Sequence, residues 1–235
     1  MSDSIAFTRE LPFGLCVAVH VPAQDDAPAL ERLAERLDPA ERAHARALAP
    51  ARRATWLGGR AALRAALEAL DIVAGPIFST PRGAPALPAG VVASISHKQT
   101  IAVALAARAT MDDESLGVDV ELDRASPRDL STHVLTPAER EALAAVDAAR
   151  RPHAVMAAFS AKEAIYKAID PWLRRFVSFQ EVELTLELGH PKAGLVGARF
   201  TPRAGEPDFD LELHEDAQAA SSDLILMAAR ARRVG

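Results

Sequence analysis

Apolar and polar positions along this chain follow a period that changes several times, and each change marks a new element. Residues 13–21 are continuously apolar and β-branched, which predicts a strand. Residues 28–49 and 51–71 are rich in alanine and leucine and predict two helices. In the second, Leu57, Leu63, Leu67 and Leu70 fall on one face while Arg53, Arg60 and Arg64 share another. Proline and glycine gather over 75–90, between Gly75-Pro76 and Pro88-Ala89-Gly90, and predict a loop. Strands are expected over Val91–Ser96 and Ile101–Ala106, with His97-Lys98-Gln99-Thr100 as the turn. The polar connector Asp112–Ser115 leads into a further strand, Leu116–Leu122. Thr136-Pro137-Ala138-Glu139 has the form of a helix start, with Thr as N-cap, Pro at N1 and Glu at N3, and the helix is expected to reach Ala149. A second helix covers 154–169 and stops near Asp170-Pro171. Residues 177–188, 195–201, 208–214 and 223–229 alternate as strands do, and the chain carries no clear internal repeat. The mixture predicts an α+β fold in two halves, 1–112 and 113–235.

Composition narrows the class. At 235 residues the chain can bury a full core in one large domain or two halves. A single cysteine, Cys16, excludes an internal disulfide framework and a cysteine metal cluster, and points to a reducing cytoplasm. The N-terminus lacks a basic flank followed by an apolar run, and no stretch is apolar for about 18 residues, so neither a signal peptide nor a membrane span is expected. A net charge of −5 argues against a nucleic-acid partner. The charge is uneven, though: Arg42, Arg46, Arg52, Arg53, Arg60 and Arg64 stand against the lone acid Glu41 over residues 41–64.

Two short segments carry the chemistry. In Gly117-Val118-Asp119-Val120-Glu121, strand alternation puts Asp119 and Glu121 on one face while Val118, Val120 and Leu122 face the core. Two carboxylates at that spacing repel by about 2 kcal/mol at an effective dielectric near 20 unless a cation intervenes. An all-oxygen set favours a hard ion, Mg²⁺ first. An amphipathic edge strand with a wet acidic face would read the same way. In Phe159-Ser160-Ala161-Lys162-Glu163-Ala164-Ile165-Tyr166-Lys167-Ala168, Glu163 and Lys167 are one turn apart, a spacing that by itself also describes an ordinary helix-stabilising pair.

Together these segments resemble the 4′-phosphopantetheinyl transferases, of the kind that activates surfactin and enterobactin synthetases. That family carries a G-[VI]-D-x-E element and, some forty residues on, a [WF]-[ST]-x-K-E-x-x-x-K element; here Glu121 and Glu163 are 42 residues apart. Upstream, Ser94-Ile95-Ser96-His97 is similar to the family's S-[IVL]-S-H stretch, Arg82-Gly83-Ala84-Pro85 to its G-x-P loop, and Arg53-x-x-Trp56-x-x-Gly59-Arg60-Ala61 to its basic helix. Phe179-Gln180-Glu181-Val182 resembles the stretch after the lysine helix in the enterobactin synthase component D-like subgroup.

The resemblance implies two pseudo-symmetric halves, each a small antiparallel sheet packed with helices, and an active site in the cleft between them. It implies a Mg²⁺-dependent monomer that moves the phosphopantetheine arm of coenzyme A to a serine of an acidic apo acyl or peptidyl carrier protein, releasing 3′,5′-ADP. Asp119, Glu121 and Glu163 match the metal-holding acids, with Glu163 as ligand, base or both. Lys162 and Lys167 match the lysines on the phosphates and pantetheine arm, and Ser96 and His97 the turn that meets the phosphates. Arg53 and Arg60 match the 3′-phosphate clasp, where Arg52 could exchange with Arg53. Gly83 and Pro85 shape the adenine-side loop, and Ala84 stands where the family often has Lys, which shifts that work to Arg82 or backbone. Phe159 replaces the more usual Trp. Arg124, Arg128, Arg150 and Arg151 are candidates for docking the carrier. The competing reading is a non-catalytic coenzyme A or nucleotide binder of the same fold.

Overall fold

A computed structural model describes residues 4–126, 129–186, 195–219 and 223–234. The chain divides into two compact units, Met1–Asp112 and Asp113–Gly235.

The N-terminal unit opens with β1 (Ile5–Leu11) and β2 (Gly14–His20), then α1 (Ala27–Ala34), α2 (Pro39–Arg46) and α3 (Pro50–Ala69), and closes with β3 (Val91–Lys98) and β4 (Ile101–Arg108). Its sheet is antiparallel in the order β1-β2-β4-β3. The helix expected over 28–49 is two helices. Asp38, held extended ahead of Pro39, breaks it and caps α2. The arginine face expected on α3 is not wet either, because the helix is buried along most of its length, Arg60 included. β3 runs on through His97 and Lys98, so the hairpin turn is only Gln99-Thr100, with Gln99 in the left-handed region.

In the C-terminal unit, β5 (Glu114–Leu122) is followed by the single-turn α4 (Ser131–Val134), α5 (Pro137–Ala144) and α6 (Arg151–Leu173). A 3₁₀ turn at Phe179–Glu181 leads into β6 (Val182–Leu186), then β7 (Leu195–Phe200), β8 (Asp208–Glu215) and β9 (Leu224–Val234). Strands order as β5-β9-β8, with β6 and β7 paired separately, all antiparallel. Residues 187 and 188, expected as strand, lie outside the described residues. α6 starts earlier and ends later than the spacing predicted. Pro171 sits in its last turn, where it removes a single backbone bond, and Arg174 closes the helix in the left-handed region.

The two units share a device that no repeat was expected to reveal. Leu37-Asp38-Pro39-Ala40-Glu41-Arg42 starts α2 and Leu135-Thr136-Pro137-Ala138-Glu139-Arg140 starts α5, each with a full capping box closed by its glutamate.

One contact decides how the C-terminal unit is assembled. α6 lies directly on β5 at Gly117, so closely that a Cβ there would overlap the carbonyl oxygen of Ala164 and lie 2.9 Å from the amide nitrogen of Ala168. Gly117 pairs with Ala229, Asp119 with Met227 and Glu121 with Ile225, and these three partners belong to the core under α6. The acids therefore point to the helix-covered face, against the expectation that they face away from the core. They are only 5% and 6% exposed. Val118 and Val120, on the opposite face, are also buried, so β5 is an edge strand without a wet side.

We predict that Gly117→Ala lowers the melting temperature sharply, at a cost of about 3 kcal/mol or more. Gly75→Ala, whose new Cβ meets nothing within 4 Å, is the control expected to change little. Thermal denaturation of both variants measures the difference, and equal melting temperatures would remove the close packing from the account.

Candidate active site

The face of β5 beside Gly117 and the overlying turns of α6 bring three carboxylates and one ammonium together. Lys167 Nζ donates to Asp119 Oδ1 at 2.7 Å and to the Val118 carbonyl at 2.9 Å. That reach exists because Gly117 lets the helix backbone settle onto the strand. Glu163 lies one turn earlier on the same face of α6 and is half-buried. Burial raises its carboxyl above the usual carboxylate range; Asp119 and Glu121 push the same way and Lys167 opposes them. The four groups thus act on one another electrostatically.

The acids fit a hard cation in part. Asp119 Oδ2 and Glu121 Oε2 are buried oxygens with no hydrogen-bond donor against them. Among the described residues no three His, Cys, Asp or Glu side chains converge as a preformed metal cage. Lys167 already balances the charge of Asp119. A ligand set of one or two carboxylates completed by phosphate and water is the usual arrangement for Mg²⁺, so the donor set fits that ion without a protein-only cage.

The second lysine goes elsewhere. Lys162 is 1% exposed, and its Nζ donates to Glu139 Oε2 at 2.7 Å, the Val134 carbonyl at 2.9 Å and the Phe179 carbonyl at 3.0 Å. Three acceptors take up its three ammonium protons. Helix geometry explains the split: Lys167 is about 40° around α6 from Glu163, whereas Lys162 is about 100° away on the other side. Beside Glu163 a narrow groove is lined by Tyr166, Phe176, Val177, Ser178 and Phe179. Phe176 is 76% exposed on its rim, and Phe159 packs on Phe179 with ring centroids 5.5 Å apart.

The N-terminal candidates divide similarly. Arg60 is 4% exposed, donates to the Ile77 carbonyl at 2.8 Å and to Ser79 Oγ at 3.0 Å, and lies over the Trp56 ring. Burial pushes its guanidinium down to about 10, with Glu41 opposing. It braces the proline-rich loop through these two donors. Arg53 is half-buried and donates through Nε and Nη2 to the Ala45 and Arg46 carbonyls, while Arg52 is exposed. Ser96 is buried and His97 exposed near the tip of the β3–β4 hairpin. Arg82, Gly83 and Ala84 are exposed and Pro85 half-buried, in a loop closed by a Ser79–Pro85 bridge with Gly83 at φ +90°. Of the proposed docking arginines, Arg124 and Arg150 are exposed, Arg151 ties back to the Ala144 and Val146 carbonyls, and Arg128 lies outside the described residues.

Two features were not read from the sequence. Glu139 does more than cap its helix, and its recurrence in the same six-residue frame as Glu41 is the sequence signal for that. His153, near the start of α6, bridges Glu215 (3.5 Å) and Asp123 (2.8 Å); no local spacing could reveal that, since its partners are strand ends distant in sequence.

Two small antiparallel units, one carrying an acidic strand faced by a lysine helix, define a protein with a buried carboxylate–ammonium site. Residues 115–218 match the 4′-phosphopantetheinyl transferase superfamily and residues 40–107 the 4′-phosphopantetheinyl transferase N-terminal domain. The chain belongs to this superfamily. It is 40% identical to the 4′-phosphopantetheinyl transferase Svp of Streptomyces mobaraensis over 70% of its length, and 36% identical to the 4′-phosphopantetheinyl transferase Npt of Nocardia iowensis over 58%. It is 36% identical over 50% of its length to enterobactin synthase component D of Escherichia coli. These alignments take in 65%, 60% and 54% of the relatives' own lengths. Among the described residues no helix is long and apolar enough to cross a membrane.

His153 supplies a pH signature. Glu215 and Asp123 raise its imidazolium from the usual 6.5 to about 9, against the effect of burial. A raised folded-state value means the extra stability is fully present below pH 6.5 and is lost as pH climbs through about 9. Melting temperatures taken from pH 6 to 10 should therefore fall more steeply for the wild type than for His153→Gln. Parallel curves would exclude the bridge.

Proposed function

We propose that this chain is a Mg²⁺-dependent 4′-phosphopantetheinyl transferase that moves the phosphopantetheine arm of coenzyme A to a serine hydroxyl of an apo carrier protein. The observation that carries this reading is the meeting of Asp119 and Lys167 beside a Glu163 whose carboxyl is raised by burial and by its acidic neighbours. A non-catalytic binder would need the cation and the apolar groove but would have no use for a base tuned upward.

Asp119 and Glu121 would hold the metal, with Glu163 as a third ligand, the base or both. When bound, Mg²⁺ supplies neutralisation of charge developing on the pyrophosphate oxygens. Glu163 takes the proton from the carrier serine hydroxyl, directly or through one water, and its raised affinity for protons suits that task. The serine oxygen bonds to the phosphorus bearing the pantetheine arm, and the bond from that phosphorus to the oxygen of 3′,5′-ADP breaks. The electron pair leaves with 3′,5′-ADP. Lys167 offers its ammonium to the phosphate oxygens and so counts with Glu163 among the catalytic groups. The groove of Tyr166, Phe176, Val177 and Phe179 suits the largely apolar arm.

In the N-terminal unit we assign Ser96 and His97 to phosphate oxygens of coenzyme A, Arg53 (or the exposed Arg52) to its 3′-phosphate, and the Arg82-Gly83-Pro85 loop to its adenine side. The carrier would be acidic, from a siderophore, nonribosomal-peptide or polyketide pathway. A reducing cytoplasm suits the single buried Cys16, and a monomer suits a chain that carries both units.

The test incubates the protein with coenzyme A, Mg²⁺ and an apo peptidyl carrier protein, and weighs the carrier by intact mass spectrometry. The wild type should add one phosphopantetheine arm, and chelation should prevent it. Glu163→Gln should lose at least about a hundredfold in rate while keeping the wild-type melting temperature. Coenzyme A binding without transfer to any of several carriers would favour the non-catalytic binder. Full activity in Glu163→Gln would remove that residue from the chemistry.

A further inference from the structure

The buried pair Lys162–Glu139 has a counterpart in the other unit, and the comparison tells what the pair is for. Glu139 Oε2 accepts from Lys162 and from the Thr136 amide at 2.7 Å, while Oε1 accepts from the Leu184 amide at 2.6 Å. In the N-terminal unit, Glu41 Oε2 accepts from Arg64 Nε at 3.1 Å and from the Asp38 amide at 3.0 Å, while Oε1 accepts from the Ile77 amide at 2.8 Å. Each glutamate closes the capping box of a short helix and receives one amide from a segment beyond the next long helix. Each pairs with a cation 23 residues later, on that long helix. Both cations then bond carbonyls just after their helix: Arg64 those of Ala74 and Gly75, Lys162 that of Phe179.

Arg64 does this on a helix that has Ala65 where α6 has Glu163. The arrangement therefore recurs without the catalytic carboxylate and belongs to the way each unit is built. In the C-terminal unit it has a second consequence. Lys162 and Glu163 are adjacent, so they are set about 100° apart around α6. Anchoring Lys162 toward α4, α5 and the 3₁₀ turn fixes the rotation at which Glu163 faces Asp119 and Glu121. The bond to Phe179 also holds the wall of the groove that includes Phe176.

We propose that Lys162 is a positioning residue for the transfer: paired with buried Glu139, it sets the rotation of α6 that presents Glu163, and it makes no contact with coenzyme A. This rests on the transferase reading given above. Breaking a buried pair leaves an uncompensated charge, whereas neutralising both partners together removes that penalty.

The test is a cycle of Lys162→Met, Glu139→Gln and the double variant, read by melting temperature, coenzyme A Kd from calorimetry, and kcat for carrier modification. Lys162→Met should lose roughly 10 °C and about tenfold or more in kcat, with the coenzyme A Kd of the folded protein within about twofold of wild type. The double variant should regain most of the melting temperature and part of kcat, again with Kd unchanged, and it serves even if a single variant fails to fold. A double variant no more stable than the singles would overturn the pairing. A Kd raised about tenfold in the double variant, with stability regained, would make Lys162 a ligand contact and overturn the positioning role alone. A wild-type protein that binds coenzyme A but modifies no carrier would overturn the transferase reading, and the positioning role with it.

Discussion

The C-terminal unit depends on one close approach, that of helix α6 to strand β5 over Gly117. Any side chain at that position would collide with helix backbone, which cannot yield as a flexible side chain can. Because the gap is closed, Lys167 reaches the Val118 carbonyl and the Asp119 carboxylate, and Glu163 sits where burial and its acidic neighbours push its carboxyl upward. The glycine of the G-[VI]-D-x-E element is thus a statement about distance: it lets a helix bring a base and a cation to acids that the strand alone could only hold apart.

The price of the arrangement is burial of charge, and the rest of the unit is organised around that cost. Asp119 and Glu121 lie under a helix, and only a cation can make that tolerable. Lys167 provides it for Asp119 here, and a hard metal ion with phosphate fits the same oxygens. Lys162 and Glu139 solve a different problem with the same means, tying α4, α5, the 3₁₀ turn and β6 to α6 through one saturated ammonium and one fully used carboxylate. Arg60 and Arg64 do comparable work around Ile77 in the N-terminal unit.

Much of this was legible in the order of residues. The α+β class, the acidic strand, the lysine helix and the Thr136 cap all follow from local spacing and appear in the structure. What was not legible depends on partners far along the chain. Alternation placed Asp119 and Glu121 together but set them opposite the core-facing valines, because a strand pattern says nothing about a helix lying across it. Helical spacing favoured Lys167, on the face of Glu163, over Lys162; the partners Asp119 and Glu139, 48 and 23 residues away, are what it could not supply. The bonds of Arg60 were hidden for the same reason, since Ile77 and Ser79 lie in a loop without periodicity.

The account stands or falls on whether the helix-covered face of β5 is where the metal is held. Mn²⁺ in place of Mg²⁺, followed by the loss of the free-ion electron paramagnetic resonance signal with coenzyme A present, reads this most directly. The wild type should bind Mn²⁺ at least about tenfold more tightly than Asp119→Asn or Glu121→Gln, at comparable melting temperatures. Equal binding by all three proteins would place the metal elsewhere and contradict the account.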